Sequence, residues 1–152
     1  FRCLRYPLVI SPFAPESAVT AFPSHAFRAA VQGEEFSFPV SPDSGMSAMF
    51  LDDVIHSIVD FSHVDRSRLT RHAYNLHAYY VNAGMLVEQL LRRFPGFKYH
   101  FEPLQVVENL FAHWPDEIDD SVARNDWGWA PKYSFAQTAE RMFDLLLNPE
   151  AP

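Results

Sequence analysis

Cysteine is almost absent from this chain: Cys3 is the only one. No intrachain disulfide can form, so nothing points to a secreted, disulfide-stapled domain. Glycine is scarce too, with five in 152 residues. None falls in a G-x-G-x-x-G or P-loop pattern, so no strand–glycine loop–helix unit is present to cradle a pyrophosphate. No apolar run approaches the ~20 residues of a membrane span, and no membrane partner is expected. Basic residues are outnumbered: 12 Lys and Arg against 19 Asp and Glu give a net charge of −7. That balance argues against a nucleic-acid partner, which needs clustered cations to neutralise phosphates. The one basic concentration, Arg66-Ser67-Arg68 with Arg71 and His72, is interrupted by Asp65 and reads as a solvated loop. H-E-x-x-H and C-x-x-C are absent. The seven histidines form no i,i+4 pair on a helix, so no metal site is expected.

What remains is strongly globular. Hydrophobic residues make up 48% of the chain and aromatics 15%, enough for one domain with a real core. Residues 1–11 read as a buried strand broken by Pro7, which cannot donate to a ladder. A chain beginning inside a strand reads as part of a longer polypeptide, whose targeting is then open. Apolar spacing predicts a helix from near Ser24 to a stop at Gly33. A short strand over 35–40 leads to a Pro42-Asp43-Ser44-Gly45 turn, and Ala48-Met49-Phe50-Leu51 is another strand. Asp52 or Asp53 then caps a helix that turns Val54, Ile55, Ile58, Val59 and Phe61 inward. Ala73–Leu76 is a strand, and Asn82 caps an amphipathic helix carrying Met85, Leu86, Leu90, Leu91 and Phe94. A strand at 97–101, a short helix at 106–112 and a final helix from Phe135 to Leu147 complete the order. The alternation predicts an α/β chain with too few parallel strands for a complete doubly wound sheet.

Few residues offer chemistry by pattern alone. Asp52-Asp53 is a carboxylate pair for acid–base work or, favoured at a strand-to-helix junction, a cap. Asn75, near a strand end, suits holding a neighbouring loop, and His113 beside Trp114 suits the surface or packing. The most informative run is residues 119–129. Asp120 and Ser121 start a helix as N-cap residues, Gly128 stops it, and Trp127 and Trp129 dock it.

That run also resembles the closing segment of extended short-chain dehydrogenases in the NAD-dependent epimerase/dehydratase superfamily, most closely those of the L-threonine 3-dehydrogenase type. The likeness continues in collinear order. Arg5-Tyr6-Pro7 with Leu8-Val9-Ile10-Ser11 looks like the strand after the catalytic Tyr-x-x-x-Lys segment. Pro42-Asp43-Ser44, Met49 to Asp53, Tyr74-Asn75-Leu76 and Trp114-Pro115 match further pieces. The resemblance implies that residues 1–152 are the C-terminal substrate-binding lobe with the closing strands of a Rossmann domain. The NAD-binding N-terminal half lies outside this chain. It implies NAD as cofactor, bound mainly by that other half, with Tyr6, Pro7 and Leu8 lining the nicotinamide. Thr20 and Trp114 are implied substrate contacts, with no catalytic residue in the chain itself.

The same resemblance implies an amino-acid substrate, L-threonine oxidised to 2-amino-3-oxobutanoate, and as partners the N-terminal half and a second copy in a homodimer. It also implies a cytoplasmic or mitochondrial setting. Departures are specific. Leu8 replaces a glycine, Glu16–Phe22 replaces a glycine-rich stretch from which Thr20 survives, and arginines are replaced by Gly45 and Val107. These leave two alternatives open: a catalytically silent scaffold or assembly subunit, and a nucleotide-sugar epimerase or dehydratase. Exposed hydrophobic surface, and with it self-association of the isolated chain, is expected where the other half would pack.

Overall fold

A computed structural model describes residues 2–148. The first strand's expected start at Phe1 lies outside them. The α/β expectation is met, with seven short strands and six α-helices among the described residues. Pro7 does more than interrupt one strand. Cys3–Arg5 (β1) and Leu8–Ile10 (β2) belong to different sheets. β1 pairs in parallel with Ala73–Asn75 (β5), Leu4 opposite Tyr74. β2 pairs in parallel with Gly45–Phe50 (β4), Val9 opposite Met49. β4 pairs on its other side, antiparallel, with Tyr79–Asn82 (β6). Phe36–Phe38 (β3) and Tyr99–Phe101 (β7) form a separate parallel pair.

The first helix, Phe22–Gln32 (α1), begins before Ser24, because Pro23 sits in its first turn, where a missing N–H costs nothing. A 3-10 turn, Val19–Ala21, leads into it. Gly33 ends it at φ 72°, with the Glu34 N–H returning to the Ala29 carbonyl. Leu51–Ser62 (α2) departs most from expectation. Neither Asp52 nor Asp53 caps it, since Phe50 holds the N-cap position and no side chain caps there. Ile55, Ile58 and Val59, expected inside, are 51%, 53% and 51% exposed; Phe61 is buried as expected, and Asp53 and Ser57 are buried with it.

Ala83–Arg93 (α3) is capped as expected, the Met85 N–H donating to Asn82 Oδ1 at 2.8 Å. Gln105–Phe111 (α4) and Ser121–Trp127 (α5) are single short helices. Asp120 and Ser121 do not cap α5 with their side chains. Asp119 Oδ1 accepts from the Ser121 N–H, and Asp120 is drawn off to Arg124 Nε at 2.7 Å and Trp129 Nε1 at 3.0 Å. Gly128 ends α5 at φ 79°, as its position implies. Phe135–Leu147 (α6) starts with a Ser134/Gln137 capping box.

Two apolar clusters form. The larger joins α1, α3 and α6 to β4 and β6 through residues such as Phe27, Phe50, Leu86, Leu90 and Phe143. The smaller joins β5, the end of α2 and α5 through Phe61, Tyr74, Trp127 and Trp129. β1 and β2, on either side of Pro7, run to different sheets, and the gap between them positions the candidate site.

Candidate functional site

A cavity of about 390 Å³ opens at that gap, lined among others by Tyr6, Pro7, Leu8, Ser47, Trp114 and Ile118. Each element delivers its residue for a local reason. Pro7 lacks the N–H that would continue a ladder and so holds Tyr6 and Leu8 at the two strand ends. Ser47 lies on β4, the centre of the three-stranded sheet, and its N–H donates to the Pro115 carbonyl at 3.2 Å. That bond draws the Trp114-Pro115 segment over the cavity. Trp114 is braced from behind by Phe111, ring centroids 4.9 Å apart.

Four of the five residues singled out from sequence therefore meet at one cavity: Tyr6, Pro7, Leu8 and Trp114. Thr20 does not line it. It stands in the 3-10 turn before α1. Sequence reading missed Ser47, because a lone serine inside an apolar strand carries no motif.

The walls are mainly apolar and carry no carboxylate or imidazole, so the cavity can hold and orient a small molecule but supplies no base of its own. Burial pushes the Tyr6 phenol pKa up, opposed by its hydrogen bond with Ser57 and assisted by the Cys3 thiol. The phenol is thus neutral at neutral pH. Its oxygen lies 3.1 Å from Ser57 Oγ, tying it to α2. Leu8 lines the wall where a glycine would have let a ligand approach the backbone. For a dinucleotide, this chain fits as an apolar wall for a flat ring and has no phosphate cradle.

The two positions without the expected arginine have a structural reason. A Cβ on Gly45 would lie 2.2 Å from the Tyr80 hydroxyl, so Tyr80 fills the space of any side chain there. Val107 is buried in the larger cluster. The carboxylate of Glu108, next in sequence, accepts from the Ser44 hydroxyl at 2.7 Å and from the Ser41 N–H. Burial raises the Glu108 pKa, but these hydrogen bonds win and hold it below the usual carboxylate range.

Asp52 and Asp53 do not form a catalytic pair. Asp53 is 0% exposed and accepts the Lys132 N–H at 2.8 Å and the Tyr133 N–H at 3.3 Å, while the Tyr133 hydroxyl donates to Asp52. The pair clasps the chain entering α6. Asn75 Nδ2 reaches the Asp119 carbonyl at 3.5 Å, the loop contact expected of it. His113 Nδ1 lies 2.6 Å from the Asn109 carbonyl of its own helix segment. Among the described residues no cluster of three His, Cys, Asp or Glu side chains could hold a metal, and no helix is long and apolar enough to cross a membrane.

Comparison with known proteins places this geometry. No family model matches the chain. An uncharacterized epimerase/dehydratase of Staphylococcus haemolyticus is 30% identical over 98% of the chain and 48% of its own length. The mitochondrial L-threonine 3-dehydrogenase of Sus scrofa is 28% identical over 95% of the chain and 39% of its length. Among solved structures, a GalE-like L-threonine dehydrogenase from Cupriavidus necator superposes with a TM-score of 0.89 at 30% identity, covering 95% of the chain and 47% of that protein. The L-threonine dehydrogenase of Phytophthora infestans does so at 0.91 and 26% identity, over 98% and 48%. The chain spans about half the length of these relatives or less. It is a divergent homologue of epimerase/dehydratase family proteins and of L-threonine 3-dehydrogenases, matching about half of their length.

Proposed function

We propose that residues 1–152 form the substrate-binding lobe of an NAD-dependent oxidoreductase that acts on L-threonine or a related small amino acid. The observation that carries this reading is the meeting of Tyr6, Pro7, Leu8 and Trp114 at one cavity. In the whole protein, Tyr6, Pro7 and Leu8 would wall the nicotinamide, and Trp114 would close over the substrate from the Phe111 side. Bound NAD would supply the hydride acceptor. This chain orients the ring, excludes water with Trp114 and Ile118, and leaves proton transfer to groups outside it. Thr20 remains a substrate contact in this reading only if its turn moves toward the cavity on binding. The exposed face of α2 packs on the nucleotide-binding half, and the assembled protein pairs as a homodimer in the cytoplasm or mitochondria.

The test uses the whole polypeptide that contains this chain. NAD reduction with L-threonine is followed by absorbance, alongside NAD affinity by calorimetry. The expected result is turnover, with Trp114→Ala raising KM for the amino acid about tenfold, the scale of one lost contact of ~1.4 kcal/mol. The absence of both turnover and NAD binding would sink the reading. A catalytically silent scaffold would then be the better account, and Tyr80 filling the space beside Gly45 and the burial of Val107 already favour it as the second reading.

A further inference from the structure

Of the polar side chains in the cavity wall, Tyr6, Ser47 and Trp114, Ser47 alone is buried. It is only 3% exposed, and its Oγ lies 2.6 Å from His77 Nδ1. A serine hydroxyl has one proton and two lone pairs, and the contact with His77 uses one of these. Among the described residues no other partner is found for it. Buried polar capacity is normally satisfied, and here the open direction is the cavity that Ser47 lines. Tyr6, the other hydroxyl at the wall, is only half-buried and meets Ser57 Oγ at 3.1 Å.

His77 belongs to the segment between β5 and β6, so it reaches Ser47 from the neighbouring connection rather than along β4. The pair can present either polarity. With His77 Nδ1 unprotonated, Ser47 donates to it and turns lone pairs to the cavity. In the other tautomer His77 donates, and the serine O–H is free for the cavity.

We propose that Ser47 is a specificity-determining residue of this cavity, hydrogen-bonding the hydroxyl or carbonyl oxygen of a small ligand, with His77 as its positioning residue. This rests on the cavity being the substrate site of the proposed function. A ligand lacking that oxygen leaves Ser47 buried and unpaired, which is how a site built for a hydroxyl rejects its deoxy analogue. An apolar wall alone would discriminate weakly between the two.

The experiment is a binding titration on the whole protein with NADH present, so that no oxidation can occur, using L-threonine and L-2-aminobutyrate, which lacks the hydroxyl. Wild type is expected to prefer L-threonine by about tenfold or more. Ser47→Ala should bind L-2-aminobutyrate as wild type does and lose the preference. His77→Asn, whose amide stands near the place of Nδ1, should keep part of it, while His77→Phe should not. Imidazole nitrogen shifts of His77 are expected to move with L-threonine and not with L-2-aminobutyrate. Equal binding of both probes by wild type, or an undiminished preference in folded Ser47→Ala, would overturn the assignment and leave the cavity's role standing. Failure of both probes to bind would overturn the cavity's role and the Ser47 proposal with it.

Discussion

Helices α2 and α3 follow the same plan and end with opposite insides. Each follows a β-strand directly, and they are 12 and 11 residues long. α3 is capped by Asn82 and buries Leu86, Val87 and Leu90 in the main core. α2 has no side-chain cap, buries Asp53, Ser57 and Phe61, and leaves Ile55, Ile58 and Val59 about half exposed. An apolar stripe says that a helix will be covered, and it does not say by what. In α3 the cover is this chain. In α2 the polar side faces this chain, with Asp53 holding the Lys132 and Tyr133 N–H groups and Ser57 meeting Tyr6.

The sharpest way to break this contrast is a pair of truncations. Leu86→Ala should cost about 2–5 kcal/mol, as a buried leucine does when its cavity cannot collapse. Ile58→Ala in the same isolated chain should cost less than about 1 kcal/mol, because little is removed from contact. Equal midpoints in urea would show that the α2 stripe is covered after all. Asp53→Ala comes next, at about 2–3 kcal/mol. It strands two inward N–H groups, and an unsatisfied buried donor costs more than a made bond gains. Ile58→Lys with Val59→Lys tests the stripe from outside. Sedimentation should show the isolated chain self-associating and the double variant shifted toward monomer, with its urea midpoint nearly unchanged. A monomeric parent chain would count against an unpartnered α2.

The same contrast explains what could be read in the sequence. α6 was legible to the residue, because its apolar period acts within thirteen residues, although its Ser134/Gln137 capping box was not read. The caps at Asn82 and the stops at Gly33 and Gly128 are local chemistry and were equally legible. The inside of α2 was not, because the N–H groups that claim Asp53 lie near residue 132, far along the chain. Asp120 failed as a cap for a local reason, since Trp129 Nε1 and Arg124 compete for its carboxylate. At the site, Tyr6, Pro7 and Trp114 could be found through their resemblance to dehydrogenase segments. Ser47 could not, because its meaning depends on His77 reaching it from another strand connection.

The smallest effect is a pH dependence that separates the clasp on α2 from its counterpart on α5. Burial is the largest influence on Asp53 and raises its carboxyl pKa, against the Lys132 and Tyr133 N–H bonds and the charges of His56 and Lys132. A carboxyl with a raised folded pKa contributes stability that is full below its unfolded pKa and lost as pH rises through the folded one. Asp126 goes the other way. The Thr70 hydroxyl, the Tyr74 hydroxyl and the Thr70 N–H lower its pKa, so its contribution is present above the unfolded pKa and fades as pH falls through the folded one. Urea midpoints of the parent, Asp53→Asn and Asp126→Asn should therefore diverge across the acid range. The advantage of the parent over Asp53→Asn should shrink as pH rises from about 4. Its advantage over Asp126→Asn should instead grow below that, as pH rises toward about 4, and stay level above it. Parallel curves would mean that the Asp53 carboxylate is as well solvated or compensated as that of Asp126. The buried polar face of α2 would then carry no electrostatic cost to set against its exposed apolar one.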